Sequence, residues 1–307
     1  MDKQRIAFVF PGQGAQKVGM GKDLYESSAR ARELFDFADD LLSLPLSATI
    51  LEGPQASLNL TAHAQPAILL ISFVLTEMLE IRPIAYAGHS LGEYSALTAA
   101  GCLSLDAALK LVHSRGVFMQ QAVPPGEGAM AAVIGANHTE LQLVIDKVGR
   151  GEVVVANYNC PGQTVISGRT GAVQAVVDAL KPVRCIMLPV SAPFHSPYMQ
   201  DAQDNLRPLL QTTNFLDPRA PVWCNADASA VTSAAAAREK LLIQTTHPVL
   251  WEQSVRSMIS ELKITVFVEI GPGATLTNFL KRIDPSVRGI TVNGPADIEQ
   301  AQQQLTS

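Results

Sequence analysis

Residues 88–97 read Gly88-His89-Ser90-Leu91-Gly92-Glu93-Tyr94-Ser95-Ala96-Leu97. A serine stands between two glycines, with one residue intervening on each side. The preceding AYAG (85–88) is a short apolar run that reads as a buried strand, and the residues after the serine continue as a helix. Strand, G-x-S-x-G and helix in that order form the context of a nucleophile elbow. The tight turn lifts the Ser90 hydroxyl clear of the sheet, and the glycines let neighbouring backbone pass close by. The helix aims its free N–H groups and positive dipole end at any negative charge that develops there. The Leu91 N–H is thus a natural oxyanion donor. The plain alternative is a serine that caps an ordinary strand-to-helix turn.

Working outward, IAFVF (6–10) reads as another buried strand, ended by PGQG (11–14). In a parallel sheet that end shares an edge with Ser90, so the Gln13 N–H can serve as a second oxyanion donor; a simple glycine turn is the other reading. Helical spacing covers residues 23–42, 66–79 and 104–123, the last with Ser104 as N-cap. Residues 126–190 change rhythm to β-α-β-β-α-β, the order of a ferredoxin-like unit. Helices are then expected over 234–242 and 251–262, followed by strand TVFVEIG, helix TLTNFLKRI and strand GITVN. The expected fold is α/β with a mainly parallel sheet. The core comprises 1–125 and 191–307, and 126–190 forms an inserted subdomain.

Of the 307 residues, 47% are apolar and 17% charged, which excludes a disordered chain. A net charge of −5 argues against a general nucleic-acid binder. The longest apolar run, 66–75, is about half of a roughly 20-residue membrane span. Cys102, Cys160, Cys185 and Cys224 fit no zinc or CxxC spacing and read as reduced thiols of a cytoplasmic protein. MDKQRIAFVF carries no signal-peptide apolar core. No metal or cofactor is expected.

A serine hydroxyl needs a base. Of six histidines, His195 stands out, because it lies in an irregular stretch hemmed by Pro189, Pro193 and Pro197. A satisfied loop histidine is the bland alternative. No acid between Ser90 and His195 stands in a turn after a clear core strand, which leaves open a backbone carbonyl in its place and hence a dyad. Arg115 has Leu111, Val112, Phe118 and Met119 at its helical neighbour positions. A guanidinium in such company needs an anion, supplied either by the protein or by a substrate carboxylate.

These residues carry a resemblance. GHSLGEYSAL, FVFPGQGAQ (8–16), LTAHAQPAIL (60–69), an arginine 25 residues after the serine, NYNCPGQTVISG (157–168), VSAPFHSPYM (190–199), HPVLWEQSV (247–255) and VEIGPGATL (268–276) occur in order along the whole chain. Together they resemble the malonyl-CoA:acyl-carrier-protein transacylases, an acyltransferase family. The resemblance implies a hydrolase-like core with a ferredoxin-like subdomain. It implies Ser90 as nucleophile, His195 as its base, and the Gln13 and Leu91 N–H groups as oxyanion donors. It makes Arg115 the clamp on a malonyl carboxylate and places the histidine-orienting carbonyl near Leu250. Gln65, Asn159 and Gln163 match polar pocket positions, and Phe194 fits a pocket that prefers malonyl over branched units. The implied activity is malonyl transfer from malonyl-CoA to the phosphopantetheine thiol of an acyl carrier protein, for fatty-acid or polyketide synthesis, releasing CoA. A serine acyl hydrolase acting on acyl-carrier thioesters is the rival.

Overall fold

In the computed structural model, which describes residues 4–190 and 192–306, ten strands fall into two sheets. They are β1 (Ile6–Phe10), β2 (Ala85–Gly88), β3 (Gly128–Ile134), β4 (Val153–Cys160), β5 (Gln163–Arg169), β6 (Arg184–Met187), β7 (Val222–Trp223), β8 (Ala230–Val231), β9 (Val266–Ile270) and β10 (Arg288–Val292). The larger sheet has the order β10-β9-β1-β2-β7-β8, parallel except for the edge strand β8. The smaller sheet, β4-β5-β3-β6, is antiparallel and has the ferredoxin-like order. The expected boundary at residue 191 and the lead at residues 1–3 lie outside the described residues.

Both faces of the large sheet are buried, as a parallel sheet requires. Phe8 and Phe10 of β1 pack with Tyr86 and Val268 on one side, while Ala7 and Val9 pack with Ala87, Phe267 and Trp251 on the other. The first side carries the helices Thr61–Met78, Leu91–Ala99 and Leu105–Gln121, and the second carries Trp251–Leu262 and Thr275–Ile283.

Three local expectations change. The helical stretch 23–42 splits at Ser28, whose side chain caps Ala29–Leu42 by accepting from the Ala31 N–H at 3.2 Å. The helix expected from 66 starts at Thr61 and keeps Pro66 inside. Proline cannot donate to the Ala62 carbonyl one turn back, and His113 Nδ1 does so instead, at 3.0 Å. Ser104 sits at the N-cap position but its side chain makes no capping bond.

Candidate active site

Strand β2 delivers Ser90 to the edge of the sheet in a conformation that side chains rarely adopt, with φ 53° and ψ −106°. Such strain persists only where surroundings fix it. Here the Asn225 side-chain oxygen accepts from the Ser90 N–H at 2.6 Å, and Gln244 Nε2 donates to the Ser90 carbonyl at 2.9 Å. Glycine is required at both flanks. A Cβ on Gly88 would stand 1.9 Å from the Gly92 backbone, and one on Gly92 would stand 2.1 Å from the Phe10 carbonyl oxygen.

His195 also has a positive φ, 55°, and is buried. Its Nε2 lies 2.7 Å from Ser90 Oγ. Its Nδ1 donates to the main-chain oxygens of Gln244 at 3.0 Å and His247 at 3.2 Å. Two carbonyls can only accept, so the proton sits on Nδ1 and the Nε2 lone pair faces the hydroxyl. The sequence left such a carbonyl-held imidazole open, but the carbonyl that the resemblance placed near Leu250 is elsewhere. The Leu250 oxygen is drawn into the first turn of the helix Trp251–Leu262, where it accepts from Ser254 N and Oγ, each at 2.9 Å. Gln244 ends the preceding helix, Ala234–Gln244, where carbonyls lack intrahelical partners. Burial, then the charge of Arg115, pushes the His195 pKa down to about 3, so the imidazole is neutral.

Arg115 is 1% exposed and reaches the same spot. Nη2 stands 3.1 Å from Ser90 Oγ and 2.9 Å from Gln244 Oε1; Nη1 stands 2.8 Å from Gln65 Oε1. Its Nε has no partner among the described residues. Every acceptor on the guanidinium is neutral. The internal acid left open by the sequence is not in contact with it, since Glu93 reaches Arg115 only through Gln244. Burial lowers the Arg115 pKa, and Tyr94 and Glu93 act in the opposite direction. Arginine keeps its charge in proteins, so a buried cation faces the serine without an anion.

The turn after β1 packs on the elbow: the His89 N–H donates to the Phe10 carbonyl at 3.0 Å, and a Cβ on Gly12 would lie 2.5 Å from the His89 oxygen. Gln13 and Ser90 line one cavity of about 440 Å³, together with Gln65, Arg115, Phe194 and His195. No hydrogen bond occupies the Gln13 or Leu91 N–H among the described residues.

Two of the expected polar residues fall short of the cavity. Asn159 accepts from His89 Nε2 at 2.9 Å and so supports the elbow from behind. Gln163 opens β5 opposite Cys160 and Ile134 and does not line the cavity; Asn157 does. Register shifts between Val155 and Asn157 and between Tyr158 and Cys160 re-aim the β4 side chains, which the residue order alone does not disclose. Sequence reading missed Glu93, Asn225 and Gln244. Only Glu93 left a signal, as a carboxylate inside an otherwise apolar helix start.

The arrangement brings a serine hydroxyl, a neutral imidazole, two backbone N–H groups with no partner among the described residues and a buried cation to one spot. Among the described residues no group of side chains could hold a metal ion, and no helix is long and apolar enough to cross a membrane.

Comparison with known proteins agrees with this chemistry. The acyl transferase domain family matches residues 7–295. A malonyl CoA-acyl carrier protein transacylase of Bacillus subtilis (strain 168) is 45% identical, covering 98% of this chain and 97% of that protein. The Escherichia coli (strain K12) protein of the same name is 39% identical over 97% of this chain and 98% of its own length. Among solved structures, the malonyl CoA-acyl carrier protein transacylase from Coxiella burnetii superposes with a TM-score of 0.96 at 37% identity, covering 99% of both chains. A malonyl-transacylase in complex with its type II PKS acyl-carrier protein gives a TM-score of 0.95 at 38% identity, covering 98% of this chain and all of that one.

Proposed function

Since the chain belongs to the acyl transferase family, as a malonyl CoA-acyl carrier protein transacylase, we propose that it moves malonyl from malonyl-CoA to a carrier-protein phosphopantetheine thiol through a malonyl-Ser90 ester. The malonyl carboxylate pairs with Arg115, backed by Gln65. His195 Nε2 takes the Ser90 proton as Oγ bonds to the thioester carbon. The oxyanion lies between the Gln13 and Leu91 N–H groups, each such donor being worth about 3 kcal/mol. The C–S bond breaks, and the CoA sulfur leaves with the proton from His195. The carrier thiol then gives its proton to His195 and attacks the ester. The sequence reverses, returning the proton to Ser90.

The observation that carries this reading is the buried Arg115 guanidinium, 3.1 Å from Ser90 Oγ, with neutral acceptors only. It also disfavours the acyl hydrolase, which needs no cation in its acyl pocket. Residues 126–190 act as a subdomain beside the cavity, to which Met130, Asn157, Leu188 and Pro189 contribute. Either fatty-acid or polyketide assembly uses this reaction. Its substrates and four free thiols fit the cytoplasm.

The test is intact-mass trapping. Brief exposure to malonyl-CoA, but not to acetyl-CoA at equal concentration, should add one malonyl mass on the peptide containing Ser90. Ser90→Ala should abolish the adduct. A label on another residue, or release to water faster than transfer to carrier protein, would overturn the proposal.

A further inference from the structure

Glu93 is 2% exposed. Its main-chain N–H donates to the Ser90 carbonyl at 3.1 Å, but its carboxylate bonds to Asn225 and Gln244 and not directly to the Ser90, His195 or Arg115 side chains. It occupies the first turn of the helix Leu91–Ala99, where an exposed carboxylate would simply favour the dipole. Its side chain turns inward instead. Oε2 accepts two hydrogen bonds, from the Asn225 N–H at 2.9 Å and from Gln244 Nε2 at 2.8 Å.

Those two partners hold all three residues assigned to the reaction. Asn225 accepts from the Ser90 N–H and donates to the Gly88 carbonyl at 2.7 Å, pinning the elbow from both sides of His89. Gln244 donates to the Ser90 carbonyl, accepts from Arg115 with its side chain and orients His195 with its main chain. The orientation of the Gln244 amide follows from Glu93. Oε2 accepts from the Asn225 N–H whether Glu93 is ionised or carries its proton on Oε1, so Nε2 must face that oxygen and Oε1 of Gln244 must face the guanidinium. A flipped amide would set oxygen against oxygen and an NH₂ against a cation.

We infer that Glu93 is a positioning residue for acyl transfer, whose single acceptor oxygen locks Asn225 and Gln244 in the poses that hold Ser90, Arg115 and His195. The inference rests on the roles proposed for those three residues. A residue serving stability alone would alter the amount of folded protein, not the selectivity of each folded site. The positioning role predicts a change in both the rate and the acyl preference per folded site.

The experiment compares Glu93→Ala and Glu93→Gln with the wild type. The readouts are single-turnover acylation by malonyl-CoA, the malonyl-to-acetyl rate ratio, and Ser90 phosphonylation by a fluorophosphonate. Folding is monitored by thermal unfolding. Glu93→Ala should slow acylation per folded site on the order of 10²-fold, the cost of a roughly 1 Å misplacement. It should also lower the malonyl-to-acetyl ratio. Glu93→Gln keeps an oxygen that can accept both bonds and should stay within about tenfold of the wild type. The inference fails if folded Glu93→Ala matches the wild type in rate and ratio, or if folded Glu93→Gln is as impaired as Glu93→Ala. If Glu93→Ala does not fold, Glu93→Asp replaces it, because a side chain one methylene shorter withdraws the acceptor while keeping the charge. Wild-type behaviour of Glu93→Asp refutes the inference equally. Phosphonylation separates the two claims. A wild-type enzyme that forms no malonyl-Ser90 defeats the proposed function, whereas the effect of Glu93 on phosphonylation still decides the positioning role.

Discussion

Gln244 holds the His195 ring by its main-chain oxygen, 3.0 Å from Nδ1, where many serine enzymes place a carboxylate. A carbonyl orients the ring but adds no formal charge to favour the imidazolium. With burial and Arg115 acting against the charged form, the imidazole has a pKa near 3 against its ordinary 6.5. The acylation rate should therefore show no inflection near pH 6.5. Single-turnover acylation followed from pH 8 to pH 5 checks this, and a break at 6.5 would mean that His195 titrates as in water. The stability consequence has a definite sign. The unfolded chain binds this proton first as pH falls, so the His195 contribution is complete above pH 6.5 and is lost from there toward pH 3.

The proposed function makes Arg115 the residue that sets the cargo. Arg115→Ala should reduce malonyl transfer by about two to three orders of magnitude and leave acetyl transfer within a few-fold of the wild type. A site built around a charged hydrogen-bond partner discriminates by such factors. Parallel steady-state rates with both CoA thioesters decide the matter, since equal losses would reduce Arg115 to a packing residue.

Glu93 makes a separate prediction about stability. Burial raises its pKa from 4.5 to about 7, while Gln244, the Asn225 N–H and Arg115 restrain the rise. A folded pKa above the unfolded one adds stability below pH 4.5, and that increment is lost as pH climbs through 7. Glu93→Gln removes the titration. Relative to the wild type, it should gain up to about 3 kcal/mol between pH 4.5 and pH 8. Urea midpoints at four pH values suffice; parallel curves for the two proteins would contradict a buried, titrating Glu93.

The elbow was legible because all its determinants are local: a strand, two glycines and a helix start within ten residues. Arg115 was legible because a lone cation among Leu111, Val112, Phe118 and Met119 conflicts with its own helix face. Gln244, Asn225 and the partners of Glu93 were not. Their bonds span 132 and 151 positions, and the letters around them form no motif that stands out alone. The misassigned carbonyl at Leu250 and the displaced Gln163 share a cause. The direction of a main-chain oxygen and the phase of a bulged strand belong to the folded backbone, and residue types leave them open.

Phe194, 8% exposed, lines the cavity beside Met119, Met130 and Val190. In the proposed malonyl site its ring would take the space that a branched acyl unit needs. Phe194→Ala should raise the ratio of methylmalonyl to malonyl loading by about 10- to 100-fold, the range that one methyl group can command in a pocket. Intact-mass competition between the two CoA thioesters reads the ratio directly. An unchanged ratio would show that the ring packs the loop without bounding the acyl group.

Gly92 and Gly171 allow a controlled comparison, because each is the second residue of a helix, Leu91–Ala99 and Thr170–Ala179. Alanine is the better helix former at both, by roughly 0.5–1 kcal/mol. Space differs. A Cβ at Gly171 meets nothing within 4 Å, whereas one at Gly92 comes within 2.1 Å of the Phe10 oxygen and 2.8 Å of its carbon. Both atoms are backbone in the central strand β1 and cannot swing aside. Gly171→Ala should therefore stabilise the protein slightly. Gly92→Ala should destabilise it by about 3 kcal/mol, at the upper end of overpacking costs, and should slow acylation as the elbow shifts. Urea unfolding of the two variants provides the measurement. A neutral Gly92→Ala would mean that the helix can move away from β1, and the close fit of elbow to strand would no longer explain how Ser90 is held.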